Sequence, residues 1–142
     1  MAQLTAVTPA PWTDCLDAAG GARFMRQAAV LQRCRSDTVS IRAGDALLAV
    51  AYLWPHEDGS REFCLALRPA ARPHMLALVR FAHLMLARLT QDGAVVFCHV
   101  TPGHLAGERM ARLTGFERAG ADGRWDIGSD HDKDRADAVR RR

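Results

Sequence analysis

The chain has 142 residues, 49% of them apolar and 25% charged, with 19 Lys and Arg against 16 Asp and Glu and a formal net charge of +3. That length suits one domain, and the apolar fraction is enough to build a core, which excludes disorder as the default state. No apolar run approaches the roughly 18 residues that a membrane span needs, and the first residues lack the basic and apolar stretches of a secretion signal, so a soluble, cytoplasmic protein is expected.

The elements follow in chain order. Leu4 to Val7 is a short apolar strand, closed by Thr8-Pro9-Ala10-Pro11. From Trp12 the pattern turns helical, with a break at Gly20-Gly21, and Phe24, Ala28 and Leu31 set the period of a second helix over 22–33. A strand over 38–42, a Gly44-Asp45 turn, a longer strand over 46–54 and a third over 62–67 predict an antiparallel meander, its last hairpin turning through Pro55-His56-Glu57-Asp58-Gly59. Pro69 and Pro73 bracket a loop. The helix over 74–90 is apolar on most of its circumference and stops at Asp92-Gly93. Ala94 to Val100 reads as a buried central strand, 105–113 as a helix ended by Thr114-Gly115, and 116–119 with 124–127 as two short strands. The order β-α-α-β-β-β-α-β-α-β-β predicts an α/β fold of the mixed α+β kind, one domain over 1–128 with a charged, disordered tail over 129–142.

The basic residues are scattered, which permits a phosphate-bearing ligand without pointing to nucleic acid, and Arg140, Arg141 and Arg142 read as part of a solvated tail. Cys15, Cys34, Cys64 and Cys98 lie far apart, so no local CxxC pair or zinc knuckle forms and no disulfide is expected.

The strand-to-helix crossover carries the most chemistry. Leu65-Ala66-Leu67 leads through Arg68-Pro69-Ala70-Ala71-Arg72 into Pro73-His74-Met75-Leu76-Ala77. Such a turn aims successive backbone N–H groups at one point, and a helix N-terminus adds a field that favours anions. Arg72 adds a charge-assisted donor. The same residues also read as an ordinary connection containing two prolines.

This segment resembles the acetyl-CoA site of the GNAT superfamily of N-acetyltransferases, where V-x-P-x-x-R runs into x-x-G-x-G/A and opens a long helix. Leu67, Pro69, Arg72 and Ala77 match, whereas Met75 stands at the inner glycine. The family's V-x-x-x-N-x-x-A-x-x-L-Y-x-x-x-G-F is met by Val100, His104, Gly107, Met110, Ala111 and Gly115-Phe116, with Ala111 replacing the tyrosine that often protonates the departing thiolate. The resemblance covers about residues 3 to 128.

It implies an enzyme that moves an acetyl group from acetyl-CoA to a primary amine, of a small molecule or a protein. Pantetheine would pair with the backbone near Cys64 to Leu67, and the cofactor-binding residues would be Leu65, Ala66, Leu67, Arg72, Pro73, His74, Met75, Leu76 and Ala77. No metal is expected, and a homodimer is in keeping with the family. Glu62 is the candidate base, where relatives carry a carboxylate, and is otherwise a solvated strand-edge residue. His104 is the candidate acid, or a helix cap in its Thr-Pro-Gly-His turn. Only one of Cys98 and His99 can face any given side of the strand, and a metal set with His104 is not diagnostic. The departures at Met75 and Ala111 leave an alternative: a GNAT-fold binding or structural protein without turnover, a pattern similar to divergent phage-encoded members.

Overall fold

The computed structural model of the protein describes residues 3–91 and 93–127. Among them lie seven strands, four α-helices and one 3-10 turn. In order they are β1 (Leu4–Val7), α1 (Trp12–Ala19), α2 (Arg23–Arg35), β2 (Asp37–Ala43), β3 (Ala46–Pro55), β4 (Arg61–Leu67), the 3-10 turn (Pro69–His74), α3 (Met75–Thr90), β5 (Val96–His99), α4 (Leu105–Thr114), β6 (Glu117–Arg118) and β7 (Arg124–Ile127). The predicted sequence of elements is the observed one. The expected tail over 129–142 lies outside the described residues. The chain forms two compact units, Met1–Phe81 and Ala82–Arg142.

In the first unit, β1, β2, β3 and β4 pair in that order, each antiparallel to the next. β3 is buried from Leu47 to Leu53. An apolar run without alternation requires cover on both faces, and both are covered. Leu47, Val50 and Tyr52 pack with Ala10 and Cys15 under α1, while Leu48 and Ala49 pack with Ile41, Ala71 and Leu78 beneath the 3-10 turn and the start of α3. Two neighbours, Leu48 and Ala49, share one face because the ladder bulges there. Ile41 pairs with Ala49 but Arg42 with Leu47, which leaves Leu48 as the extra residue. Its carbonyl oxygen accepts the Arg68 amide at 2.8 Å, so the bulge also ties down the end of β4.

Polar anchors hold α1 and α2 on the sheet. The Ala10 amide donates to Thr38 Oγ1 at 2.9 Å, and Arg33 Nε donates to the Ala10 carbonyl at 2.7 Å while its guanidinium stacks over Trp12 at 4.7 Å. Asp14, in the first turn of α1, accepts hydrogen bonds from Ser40 and Arg42 of β2. Burial alone would raise the Asp14 pKa, but the hydrogen bonds from Arg42 and Ser40 and the Arg42 charge outweigh it and hold the carboxyl below its usual value.

In the second unit, β7 lies between β5 and β6, antiparallel to both. β5 is shorter than the apolar run predicts, because the four residues of β7 pair only with Val96 to His99. Trp125 of β7 is 2% exposed, with the guanidinium groups of Arg112 and Arg118 at 5.3 and 5.1 Å from its ring. His83 Nδ1 donates to the Thr114 carbonyl at 3.0 Å, capping the C-terminal end of α4. No helix among the described residues is long and apolar enough to cross a membrane.

Candidate active site

The loop expected between Pro69 and Pro73 is a wound segment. It forms a 3-10 turn that continues directly into α3. Proline's fixed φ lies within the 3-10 range, so Pro69 and Pro73 favour this path, and neither has an N–H to offer a ligand. The Ala71 amide bonds to the Arg68 carbonyl at 2.9 Å, and the Ala71 side chain is buried. Arg72, Pro73 and Leu76 are exposed, whereas His74, Met75 and Ala77 are half-buried. Met75 packs on the cluster of Ile41, Leu48, Ala49, Ala71 and Leu78. Its side chain therefore belongs to the core, and Arg72 is the exposed cation at the mouth of a 16-residue helix.

On β4 the residues alternate between faces. Cys64 and Ala66 pack against the cluster under α1, Leu65 against the opposite cluster, and Leu67 is 41% exposed. Glu62 has the parity of Cys64 and pairs across the ladder with Trp54. Its Oε2 lies 3.2 Å from His56 Nε2 at the hairpin end. The turn itself is built as Asp-Gly chemistry predicts: Asp58 Oδ1 accepts the Ser60 amide at 2.9 Å and the Ser60 hydroxyl at 2.6 Å, and Gly59 takes φ 86°. Burial, and next the Glu62 charge, push the Cys64 thiol up, which makes it a poor source of thiolate.

His104 is the N-cap of α4, with Nδ1 accepting the Gly107 amide at 3.0 Å. Glu62 and the 68–77 segment belong to the first unit and His104 to the second. Ala111 is buried at the position of the family's tyrosine. Cys98 is buried, while His99 is exposed and meets the Phe97 ring edge-on at 5.7 Å. Among the described residues no group of three or more His, Cys, Asp or Glu side chains could hold a metal ion, and Cys98, His99 and His104 do not form one.

Several polar groups of the first unit were not singled out in the sequence. Tyr52, the chain's one tyrosine, is buried against Cys15. Burial, then the Cys15 hydrogen bond and charge, raise its pKa well above the usual range, against a smaller opposing effect of Arg33. Asp14 and Ser40, and Trp54 opposite Glu62, likewise gain partners only through strand register and helix packing, and Arg35 comes to the hairpin cavity the same way. A lone tyrosine in an apolar strand was the one local signal available.

No family model and no curated protein matches the sequence. The fold, by contrast, has many solved counterparts. A protein assigned to the GNAT acetyltransferase family from Desulfovibrio desulfuricans superposes with a TM-score of 0.62 at 13% identity, over 88% of this chain and 98% of that one. The ribosomal-protein-S18-alanine N-acetyltransferase of Escherichia coli gives 0.61 at 16% identity, over 89% of each chain. A Bacillus subtilis acetyltransferase solved in complex with CoA gives 0.63 at 12% identity, over 88% and 98%. The chain has the mixed α+β fold of the GNAT acetyltransferases, in a sequence diverged far from these three.

Proposed function

We propose that the protein is an acetyl-CoA-dependent N-acetyltransferase whose acceptor is a primary amine. The observation that carries this reading is the segment 68–77, where β4 ends on the Leu48 carbonyl and Arg72 stands exposed beside the start of α3. A helix start with an adjacent guanidinium suits a diphosphate. The fold supports the same reading, since neighbours sharing it include a CoA complex and an N-acetyltransferase acting on an alanine of a ribosomal protein.

The reaction asks little covalent chemistry of the protein. The ammonium loses a proton, its nitrogen lone pair attacks the thioester carbonyl, the C–N bond forms, the nitrogen gives up a second proton to solvent, the C–S bond breaks, and CoA leaves as a thiolate that takes up a proton. Glu62, paired with His56, is the proposed acceptor of the first proton. No tyrosine is available at Ala111 for the last step, so water is the proposed donor to the thiolate. Positioning then supplies most of the acceleration.

A second reading, a GNAT-fold binding protein without turnover, is favoured by Ala111 and by the 3-10 turn, which engages amides that an open loop would leave for a ligand. Calorimetric titration with acetyl-CoA separates the two, with desulfo-CoA and ATP as controls. Micromolar CoA-specific binding that Arg72→Ala weakens by about tenfold is expected. Absence of binding at millimolar acetyl-CoA overturns the enzyme and leaves the second reading.

A further inference from the structure

Beside the hairpin of β3 and β4, Arg35, Trp54, Pro55, His56, Glu57 and Asp58 line a cavity of about 600 Å³. Glu62 flanks it, as the cross-strand partner of Trp54 and the hydrogen-bond partner of His56. Asp58 is committed to the turn through Ser60, which leaves Glu57 as the other carboxylate of the lining, with Glu62 alongside it through His56. Arg35, the last residue of α2, brings a guanidinium, and the next residue, Ser36, has a buried hydroxyl oxygen with no hydrogen-bond partner. The lining thus combines both signs of charge with a half-buried indole face, at a volume in the range of small-molecule sites.

We infer that this cavity binds the acceptor, and that the acceptor is a small amine that also carries a carboxylate, of the free amino-acid type. The ammonium group meets Glu57 and Glu62, the carboxylate meets the Arg35 fork, and the stem lies on Trp54. A polyamine leaves Arg35 facing a like charge. A peptide N-terminus has no carboxylate next to its amine. The inference rests on the acetyltransferase reading for the fate of the amine, but binding in the cavity is measurable without acetyl-CoA.

The test is titration of the full chain with the standard amino acids, each beside its decarboxylated amine, following the indole N–H resonance of Trp54 by NMR, assigned with Trp54→Phe. A saturable shift is expected for amino acids, at least about tenfold weaker for the matching decarboxylated amines. Arg35→Ala abolishes that preference and Arg35→Lys keeps part of it, each with an unchanged far-ultraviolet spectrum. Equal or tighter binding of the decarboxylated amines, or no shift with any amino acid, overturns the inference. A parallel assay of CoA release separates the two proposals. Binding without release of CoA ends the acetyltransferase reading and leaves the cavity assignment. Release with amines that never shift Trp54, undiminished in Arg35→Ala, ends the cavity assignment and leaves the acetyltransferase.

Discussion

His104 caps α4 by accepting the Gly107 amide at 3.0 Å, and Gly107 is what leaves the imidazole room to do so: a Cβ there would stand 2.6 Å from His104 Nδ1 and 2.9 Å from Val100. The family pattern carries Asn and Ala at these two positions. A larger capping ring and a smaller residue three positions on compensate for one another. Gly107→Ala should destabilise the protein by about 1 to 2 kcal/mol, the value of a lost cap. His104→Asn should relieve the contact with the ring while leaving that with Val100, so the double variant should still be more stable than the sum of the single changes predicts, by about 0.5 kcal/mol or more. Urea denaturation of the four proteins measures this coupling. Strict additivity would refute it.

Asp14 is 5% exposed and bonded to both Ser40 and Arg42. Asp14→Ala removes the buried member of a half-buried ion pair and the acceptor of the buried Ser40 hydroxyl, and should cost about 2 kcal/mol. The depressed pKa also fixes an acid dependence. Asp14 binds its proton more readily in the unfolded chain, so its contribution is complete above the unfolded value of roughly 4 and is lost as pH falls through the lower folded value. The wild type should lose stability over that interval more steeply than Asp14→Asn, as read by denaturant midpoints.

Because Tyr52 is the chain's one tyrosine, its ionisation is visible without ambiguity in the near ultraviolet. Its raised pKa means that the folded state favours the neutral phenol. That contribution is fully present below the unfolded value of about 10 and is lost as pH rises toward the folded one. Native protein should therefore show no phenolate until well above pH 10, whereas in denaturant the midpoint should return to about 10. A native titration at the ordinary value would show that the Tyr52 hydroxyl meets water.

Met75 tests whether the departure from glycine harms ligand binding. Its side chain packs on the core cluster under the 3-10 turn. Met75→Ala should therefore cost about 2 kcal/mol in stability through the cavity it leaves. Its affinity for acetyl-CoA should stay within about threefold of wild type, a difference of less than 1 kcal/mol. A large gain in affinity would mean that the methionine obstructs the site.

Local signals carried the element order. Helical periods, alternating strands and glycine punctuation are properties of neighbouring residues, so α3, the Asp58-Gly59 hairpin and the Gly115 stop at φ 111° stood where the sequence placed them. The exceptions are instructive. β5 is as long as its partner allows, and the loop expected between Pro69 and Pro73 became a 3-10 turn because two prolines restricted its backbone in a way that spacing alone does not display.

Among the candidate residues, Arg72, Met75, Glu62 and His104 were legible from spacing and resemblance, but their surroundings were not. That Met75 faces the core, that Glu62 meets His56, and that Arg35 joins the hairpin in one cavity depend on packing and strand register. The Leu48 bulge, which ties Arg68 to the end of β4, exists only in the pairing of two strands. By itself the sequence determined which segments are helices and strands, because that information is local and periodic. Only the tertiary structure decided which polar groups meet, because partners such as Asp14 and Ser40, 26 residues apart, are brought together by the burial of apolar faces they do not belong to.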